Sequence, residues 1–361
     1  MTSIPWNRIN TGLLLLVLLA VIGLFASRAY GGPLDPPGPP SPSDSVKLPG
    51  TPISSLPFVI SQPGNYYVTR NLSMGAAGDG ITIQASNVTV DLMGFELSPG
   101  PSLSAAFSEG AGSPARTGWV IRNGTVRDWP FNAIYAPSVA SSVFEDLLII
   151  ASSGALSVPA LRAGSDSTVH AVRFRTNPAN GAIDLGENAR VSDCLIETTA
   201  ASVLTGLIAG PHSSITACTV IGYNSGIYAG ANTAVSDCVL KGQFFAAVTV
   251  DVGSSVSGCT IEPVAGGRGI LSINGSSTIA RNTVRCVGGT TTAIETGGND
   301  WVDGNSIFDC TYGIDGFYAS NAVTRNRCRN ATACIIDGAV DDIGPLGAAS
   351  SATNPWSNIV D

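Results

Sequence analysis

One short frame recurs along most of the chain and limits the folds that it can adopt. Residues 191–196 read Val-Ser-Asp-Cys-Leu-Ile, and related segments return six more times. The fourth position, here called the ladder position, is occupied by Cys194, Cys218, Cys238, Cys259, Asn282, Asn305 and Asn326. Successive steps are 24, 20, 21, 23, 23 and 21 residues. A regular period of roughly 20 to 50 residues is typical of solenoids.

The residues around the ladder position predict the shape of each repeat. An apolar residue comes three positions before it and another two positions after it, as at Val191 and Ile196. A further strand begins in each repeat with a small residue and an aliphatic one, as at Gly226 and Ile227. Stacked strands lie about 4.8 Å apart, so these columns would line the inside of a tube. The sequence therefore predicts an all-β fold, a single right-handed parallel β-helix of about eleven coils with a cap at each end.

The N-terminal residues predict export. Residues 1–29 have the pattern of a signal peptide, because Arg8 precedes an apolar run and a small-x-small cleavage motif. An uncleaved membrane anchor is the alternative, although the run is shorter than the roughly 20 residues of a transmembrane helix. Residues 30–52 are a Pro/Gly/Ser-rich spacer, which we expect to be disordered because it cannot build a core.

The rest of the chain is predicted to be one elongated domain. We expect an N-terminal cap at 53–80, the β-helix at 81–337 and a C-terminal cap at 338–361, with Trp356 laid on the last coil. Caps are needed because the end coils would otherwise expose strand edges and the apolar interior.

Composition limits the partners. Only 12% of the residues are charged and 44% are hydrophobic, with 42 glycines and 22 prolines, which favours short strands and turns over helices. The formal net charge of −8 argues against a nucleic-acid partner, since phosphate binding needs a basic surface. We expect a secreted or surface-held protein, in contact with the membrane only if the N-terminal segment stays uncleaved.

Several segments together carry a family resemblance. They are the spacer 31–40, the opening 57–67, the segments 87–94 and 121–126, the cysteine coils and the Asn-Pro-Trp end at 354–356. Through them the chain resembles the secreted right-handed parallel β-helix proteins of environmental bacteria, within the pectate-lyase-like superfamily. The resemblance implies export and a β-helix, and most such proteins have no assigned activity.

The catalytic relatives in that superfamily carry motifs that this chain lacks. Polygalacturonase-like enzymes have an Asn-Thr-Asp, a paired Asp, a Gly-His-Gly and an Arg-x-Lys. Here the paired aspartates, Asp341 and Asp342, lie outside the coils, and neither His170 nor His212 is flanked by glycine. The Arg-x-Pro-x-x-Arg segment of pectate-lyase-like enzymes has no counterpart. These absences favour a binding or structural role over catalysis.

The ladder residues are predicted to be structural. The amides of Asn282, Asn305 and Asn326 can bond to one another and to turn backbone, which satisfies groups that would otherwise be buried unpaired. The four ladder cysteines are expected to be stacked free thiols, because in-register Cβ atoms stay near the coil spacing, beyond the about 3.8 Å usual in a disulfide. Four thiolates in a line cannot form a zinc tetrahedron.

The remaining cysteines are better placed for disulfides. Cys286 and Cys310 fall one coil apart at looser positions, and Cys328 and Cys334 share the last coil. An exported protein can oxidise such pairs.

Two outward rows are the candidate ligand surfaces. The first, three residues after each ladder position, comprises Arg127, Arg175, Glu197, Ile221, Lys241, Glu262, Arg285, Phe308 and Arg329. The second follows the other strand and comprises Tyr135, Arg162, Asp184, Ile208, Tyr228, Thr249, Leu271, Glu295 and Asp315. The residues expected to contact a glycan are Glu197, Lys241, Glu262, Arg285, Phe308, Arg329 and Tyr228. Glu262 and Arg285 are expected to be cross-strand neighbours. The alternative is a solvated face whose mixed charges discourage aggregation.

Glu295 and Asp315 fall on adjacent coils and are the candidate catalytic residues. Carboxyl groups about 5 Å apart suit a retaining glycosidase. Two like charges so close raise one pKa, as an acid catalyst requires. Calcium could bridge the two carboxylates; no other cofactor and no dedicated metal site are expected. The alternative is a pair of solvated acids beside Arg281, Arg285 or Arg325.

Three functions remain open from the sequence. The favoured one is an exported binding or structural module that contacts extracellular or cell-surface polysaccharide. The second is a polysaccharide lyase or glycoside hydrolase that uses acidic residues on an outer face. The third is a surface adhesion or appendage component that works as a homo-oligomer.

Overall fold

A computed structural model describes the chain from residue 49 onwards, with gaps. The described residues are 49–75, 77–100, 104–110, 114–151, 158–177, 181–198, 204–288, 291–316, 320–337, 342–347 and 357–360. All of them except Pro49 belong to one compact unit, Gly50–Asp361. These residues form strands and turns, and none of them belongs to a helix that could cross a membrane. The predicted signal peptide and most of the predicted spacer lie outside the described residues.

Each coil contributes one strand to each of three parallel faces. The first face consists of the strands before the ladder position: Thr51–Ile53, Gly64–Val68, Val88–Asp91, Thr168–His170, Arg190–Ser192, Ser214–Thr216, Ala234–Ser236, Ser255–Ser257, Thr278–Ala280, Trp301–Asp303, Ala322–Thr324 and Asp342–Ile343. The second face consists of the strands after it: Leu72–Ser73, Glu96–Ser98, Arg173–Thr176, Leu195–Thr198, Thr219–Ile221, Val239–Lys241, Thr260–Glu262, Thr283–Arg285, Ser306–Phe308, Arg327–Arg329, Leu346–Gly347 and Asn358–Val360.

Two long strands, Trp119–Arg127 and Val143–Ala151, run through the bend and join the first and second faces into one sheet. The third face is a separate sheet: Phe58–Ile60, Ile81–Ile83, Phe107–Ser108, Ile134–Ala136, Leu161–Ala163, Ile183–Leu185, Thr205–Ala209, Ser225–Ala229, Ala246–Val250, Arg268–Ser272, Thr292–Glu295, Tyr312–Gly316 and Ala333–Asp337. Arg116–Thr117 and Val139–Ala140 form a small extra pair.

The strands pair in parallel from coil to coil, and their register is the predicted one. Val191 is followed along the first face by Ile215, Val235, Val256, Ile279, Val302 and Val323. Twelve third-face strands among the described residues lie between Ile81 and Asp337, and twelve strands are separated by eleven turns. The predicted parallel β-helix of about eleven coils is therefore confirmed.

Alternation within very short strands builds the core. In Ser214–Thr216 only the central Ile215 is buried, and Ala234–Ser236 repeats the pattern with Val235. Successive strand residues point to opposite sides, so a three-residue strand needs only one apolar residue. Burial of such a side chain contributes about 1.5–3 kcal/mol. Each coil adds its inward residues to one continuous apolar column.

The bend between the first and second faces uses a left-handed residue just before each ladder position. These residues have φ values of 54° to 68°: Asp193, Ala217, Asp237, Gly258, Arg281, Gly304 and Arg325. Aspartate and glycine tolerate this region better than most residues. The Ser-Asp-Cys and Ser-Gly-Cys segments of the frame are thus bend signals as well as ladder signals.

The asparagines form a hydrogen-bonded ladder that is one residue longer than the predicted set. Asn282 Nδ2 donates to Asn305 Oδ1 at 3.0 Å, and Asn305 Nδ2 donates to Asn326 Oδ1 at 2.9 Å. Each of these oxygens also accepts from the backbone N–H of the preceding ladder residue, at 2.9 Å. Asn358 continues the column, since its Oδ1 accepts from the backbone N–H of Asn326 at 2.9 Å.

The four ladder cysteines are buried free thiols. Each thiol donates to the carbonyl oxygen two residues earlier, at 3.2–3.5 Å. Hydrogen bonding to Cys218, together with burial, raises the pKa of Cys194 and of Cys238 well above the usual thiol value. The same hydrogen bonds lower the pKa of Cys218 and of Cys259. All four thiols are buried, however, and reactive cysteines need access to solvent, so the column is a poor source of nucleophiles.

Two disulfides lie at the C-terminal end of the helix. They join Cys286 to Cys310 and Cys328 to Cys334, which are the pairs that the sequence favours. The first links adjacent coils, with its cysteines 24 positions apart in the sequence, and the second closes a loop within the last coils.

A second polar column, which the repeating frame does not reveal, lies at the bend between the third and first faces. Its members differ in residue type: Ser213, Thr233, Ser254, Ser277, Asp300 and Asn321. Side-chain oxygens of this column accept backbone N–H bonds from the preceding coil, as Asp300 does from Ser277 at 2.7 Å and Asn321 from Asp300 at 3.0 Å. Burial raises the pKa of Asp300. Both of these bends are thus held by side chains that bond along the helix axis.

The segment expected to be an N-terminal cap contributes strands to the helix. Thr51–Ile53 pairs with Gly64–Val68, and Phe58–Ile60 pairs with Ile81–Ile83. The first strand begins two residues before position 53, within the predicted spacer. At the other end Asn358–Val360 pairs on the second face, and Trp356 lies outside the described residues.

Candidate functional site

The second-face row is the line of outward side chains three residues after the ladder position. Its register is continuous from coil to coil, with Ile150 filling the gap between two of the predicted positions. The row comprises Arg127, Ile150, Arg175, Glu197, Ile221, Lys241, Glu262, Arg285, Phe308 and Arg329. Ten residues at about 4.8 Å per step make a strip roughly 43 Å long.

Neighbouring charges along this row neutralise one another. Arg175 Nε lies 2.5 Å from Glu197 Oε1, and Lys241 Nζ lies 3.1 Å from Glu262 Oε2. These side chains remain partly exposed, and exposed ion pairs contribute only about 0–1 kcal/mol. Opening such a pair to bind a ligand therefore costs little.

The C-terminal part of the row combines cations with an aromatic ring. Arg285 lies in register with Phe308, with its guanidinium carbon 5.3 Å from the ring centroid, and its Nη1 is 3.2 Å from Asp309 Oδ2. The preceding residues, Ile261 and Val284, are paired in the register, and Glu262 itself forms an ion pair with Lys241. No ion-pair partner of Arg329 is found among the described residues.

The third-face row is the second predicted line, and its register is as expected. It comprises Tyr135, Arg162, Asp184, Ile208, Tyr228, Thr249, Leu271, Glu295 and Asp315. Arg162 Nε and Asp184 Oδ2 form an ion pair at 3.1 Å. Tyr228 lies in the uncharged middle, on a different face from the other six predicted ligand residues.

The acidic pair of this row has an unequal environment. Glu295 and Asp315 face each other on adjacent strands. Glu295 is ion-paired with Arg268, whose guanidinium carbon lies 5.4 Å from the centroid of the Phe245 ring. Burial and the charge of Glu295 raise the pKa of Asp315, against the opposing effect of Arg268. Asp315 therefore keeps its proton to a higher pH than an ordinary aspartate does, while Glu295 has a cationic partner.

Arg268, the arginine that pairs with Glu295, is not one of the three arginines that the sequence suggested as neighbours of the acidic pair. Arg285 lies on the second face, and Arg281 and Arg325 lie at the bend between the first and second faces. Arg268 was missed because it starts a third-face strand, where Ala246 holds the equivalent position one coil earlier. The available signal was a charged residue at a position that is uncharged in the neighbouring coils, where it is occupied by Thr205, Ser225, Ala246, Thr292, Tyr312 and Ala333.

The described residues contain no group of three or more His, Cys, Asp or Glu side chains that could hold a metal ion. The acidic pair alone supplies two carboxylates, whereas calcium takes 6–8 oxygen ligands. A calcium ion at this pair would need most of its ligands from water or substrate.

Comparison with known proteins identifies the fold. The tailspike protein of E. coli bacteriophage HK620, solved in complex with a pentasaccharide, matches with a TM-score of 0.59 and 12% identity, over 82% of this chain and 72% of that chain. A mutant of that tailspike with a hexasaccharide gives 0.57 and 12%, over 82% and 71% of the two chains. Another mutant with a pentasaccharide gives 0.54 and 15%, over 83% and 60%. At this identity the likeness shows the β-helix fold alone. No protein-family model matches the sequence, and no curated protein does so.

Proposed function

We propose that the protein is an exported β-helix that binds extracellular or cell-surface polysaccharide along its second face. The observation that carries the proposal is the second-face row, in which charged, aliphatic and aromatic side chains stand in register over ten coils. A polysaccharide is itself extended and periodic, so a rigid strip can contact several sugar units at once. The oligosaccharides in the solved tailspike structures support a carbohydrate role for this fold.

The side chains of the row suit sugars. The ring of Phe308 can pack against the C–H face of a pyranose, since aromatic rings contribute large contact areas at low entropic cost. Arg329 and Lys241 can donate hydrogen bonds to hydroxyl or carboxylate oxygens. Glu197 and Glu262 can accept from sugar hydroxyls.

Two features support export. The sequence predicts a signal peptide at residues 1–29, and the helix contains two disulfides. Disulfides form and persist in oxidising compartments and are rare in the cytosol.

The test is binding of the chain without residues 1–29 to a panel of acidic and neutral polysaccharides. Arg285→Ala and Phe308→Ala should each weaken binding about fivefold, which corresponds to about 1 kcal/mol. Arg122→Ala is the matched control, because Arg122 also pairs with an aspartate at 3.1 Å and its side chain is 45% exposed against 55% for Arg285. Retention on no polysaccharide, or equal losses in all three variants, would refute the assignment to this face.

The third-face acidic pair favours a second candidate function, hydrolysis of a glycosidic bond. Asp315 would give its proton to the glycosidic oxygen as the C–O bond breaks, while the Glu295 carboxylate attacks the anomeric carbon to form a glycosyl ester. Water would then release the sugar and regenerate Glu295, with Asp315 taking the proton of the water. The raised pKa of Asp315 supports this division of roles.

Release of reducing ends from the same polysaccharides tests this candidate, with absorbance of unsaturated products to detect a lyase. Glu295→Gln and Asp315→Asn should each abolish release, with or without added calcium. Asp184→Asn is the control, because Asp184 lies in the same row and is paired with Arg162. Activity that survives in both variants would place the chemistry elsewhere.

A further inference from the structure

A cavity opens on the outer side of the first face, away from both rows described above. Its volume is about 480 Å³, within the roughly 300–1,000 Å³ of small-molecule sites. Trp301 forms one wall and is 50% exposed, which makes it the largest exposed aromatic side chain among the described residues. Arg281 and Arg325 also line the cavity.

Small residues at matched positions create this space. Trp301 stands next to Ala322 in the register of the first face, and Ala280 stands next to Asp303. Gly304 occupies the bend position between the coils of Arg281 and Arg325, with φ of +64°. The backbones of Arg281 and Arg325 lie two coils apart, roughly 9.6 Å. Gly304, on the coil between them, places no side chain in this space.

The charges in the cavity do not cancel. Asp303 is bonded to Arg325 through both of its carboxylate oxygens. Arg281 has no ion-pair partner among the described residues, so the cavity holds two guanidinium groups and one carboxylate. This local surplus of positive charge lies on a chain with a net charge of −8.

We propose that this cavity is a second carbohydrate site, which holds one carboxylate-bearing sugar unit. The indole of Trp301 packs against the apolar face of the pyranose, and the guanidinium of Arg281 binds the carboxylate through paired N–H donors. The ion pair of Asp303 and Arg325 offers an acceptor and donors to the ring hydroxyls. The inference rests on the proposed function in that it names the class of sugar that the polysaccharide contains.

The probes are methyl β-D-glucuronide and, as its neutral match, methyl β-D-glucoside. Saturation-transfer NMR with the chain lacking residues 1–29 should detect the glucuronide, with an affinity about tenfold above that for the glucoside, as expected for one charge-assisted bidentate contact. Arg281→Gln should remove this preference, and Trp301→Ala should weaken both sugars. Arg122→Gln, which changes a first-face arginine outside the cavity, should leave both affinities unchanged. Unchanged melting temperatures would show that the variants are folded.

The outcomes separate this inference from the proposed function. If the glucuronide gives no signal, or if the preference survives in Arg281→Gln, the cavity is not the site, whatever the polysaccharide panel shows. If the preference depends on Arg281 while no polysaccharide is retained, the cavity binds its sugar and the second-face proposal fails. Equal binding of the two sugars would overturn the carboxylate class.

Discussion

Removal of one amide from the asparagine ladder should destabilise the helix far more than removal of an exposed asparagine. Asn305 is the choice because it is 1% exposed and its side chain makes four hydrogen bonds. Oδ1 accepts from the backbone N–H and the Nδ2 of Asn282, at 2.9 and 3.0 Å. Nδ2 donates to the Ile279 carbonyl and to Asn326 Oδ1, both at 2.9 Å.

The structure gives the size of the effect of Asn305→Ala. The buried N–H of Asn282 loses the acceptor Oδ1, and an unsatisfied buried group costs about 1–3 kcal/mol. The Ile279 carbonyl loses one donor. The side-chain amides at either side keep other bonds, since Asn282 Nδ2 still donates to Val256 and Asn326 Oδ1 still accepts from the backbone N–H of residue 305. The expected loss in free energy of unfolding is therefore about 2–4 kcal/mol.

Guanidinium denaturation followed by circular dichroism measures this loss. Asn274→Ala is the matched control, because Asn274 is exposed and its Nδ2 makes one bond, to Asp251 Oδ1. That control should stay within about 0.5 kcal/mol of the unmodified chain. The slope of the transition must be compared as well, because solenoids can unfold coil by coil. If Asn305→Ala costs no more than Asn274→Ala, the ladder does not stabilise the fold in the way argued here.

Three further predictions concern the interior. Because burial raises the pKa of Asp300, its stability contribution is fully present below the unfolded-state pKa of about 4 and is lost as the pH rises through the folded-state pKa. Between pH 3 and 7 the denaturation midpoint of the unmodified chain should therefore fall relative to that of Asp300→Asn; a constant difference between the two would contradict this. The four ladder thiols should not react with Ellman's reagent in the folded protein, and all four should react after unfolding without reductant. Rapid reaction of the folded protein would show that the thiols are accessible to solvent and would contradict their burial. Replacement of both Cys286 and Cys310 by serine should lower the free energy of unfolding by about 3 kcal/mol, because the disulfide closes a loop and so restricts the unfolded chain. An unchanged denaturation midpoint would refute this prediction.

The fold could be predicted because its signals are local and repeated. An aliphatic residue stands at the Val191 position in every copy of the frame and at the Ile196 position in all copies except the last, which has Cys328. Strand pairing turns each recurrence into a buried column. Asn358 was not predicted as a ladder residue because it lies 32 positions after Asn326, whereas the other steps of the ladder are 20 to 24 positions. The second polar column was not predicted because serine, threonine, aspartate and asparagine all occur in it, so no single residue type repeats in the sequence.

The candidate sites could be predicted only in part. Glu295 lies beside Asp315 in the register, as expected. Arg268 belongs to a different column, and its long side chain extends to Glu295, which the repeat pattern could not predict. The Trp301 cavity was missed because it depends on the small side chain of Ala280 and the missing side chain of Gly304, which matter only when neighbouring coils are superposed. Periodicity predicts rows well, whereas cavities arise from departures from it.

Hydroxyl-radical footprinting with a bound polysaccharide tests the central claim most directly, because it reports the solvent access of individual aromatic side chains on each face. Phe308 reports on the second face, Tyr228 and Phe245 on the third, and Trp301 on the first. Polysaccharide binding along the second-face row predicts strong protection of Phe308, with Tyr228 and Phe245 unchanged. Protection confined to Tyr228 and Phe245, with Phe308 as reactive as in the free protein, would contradict it.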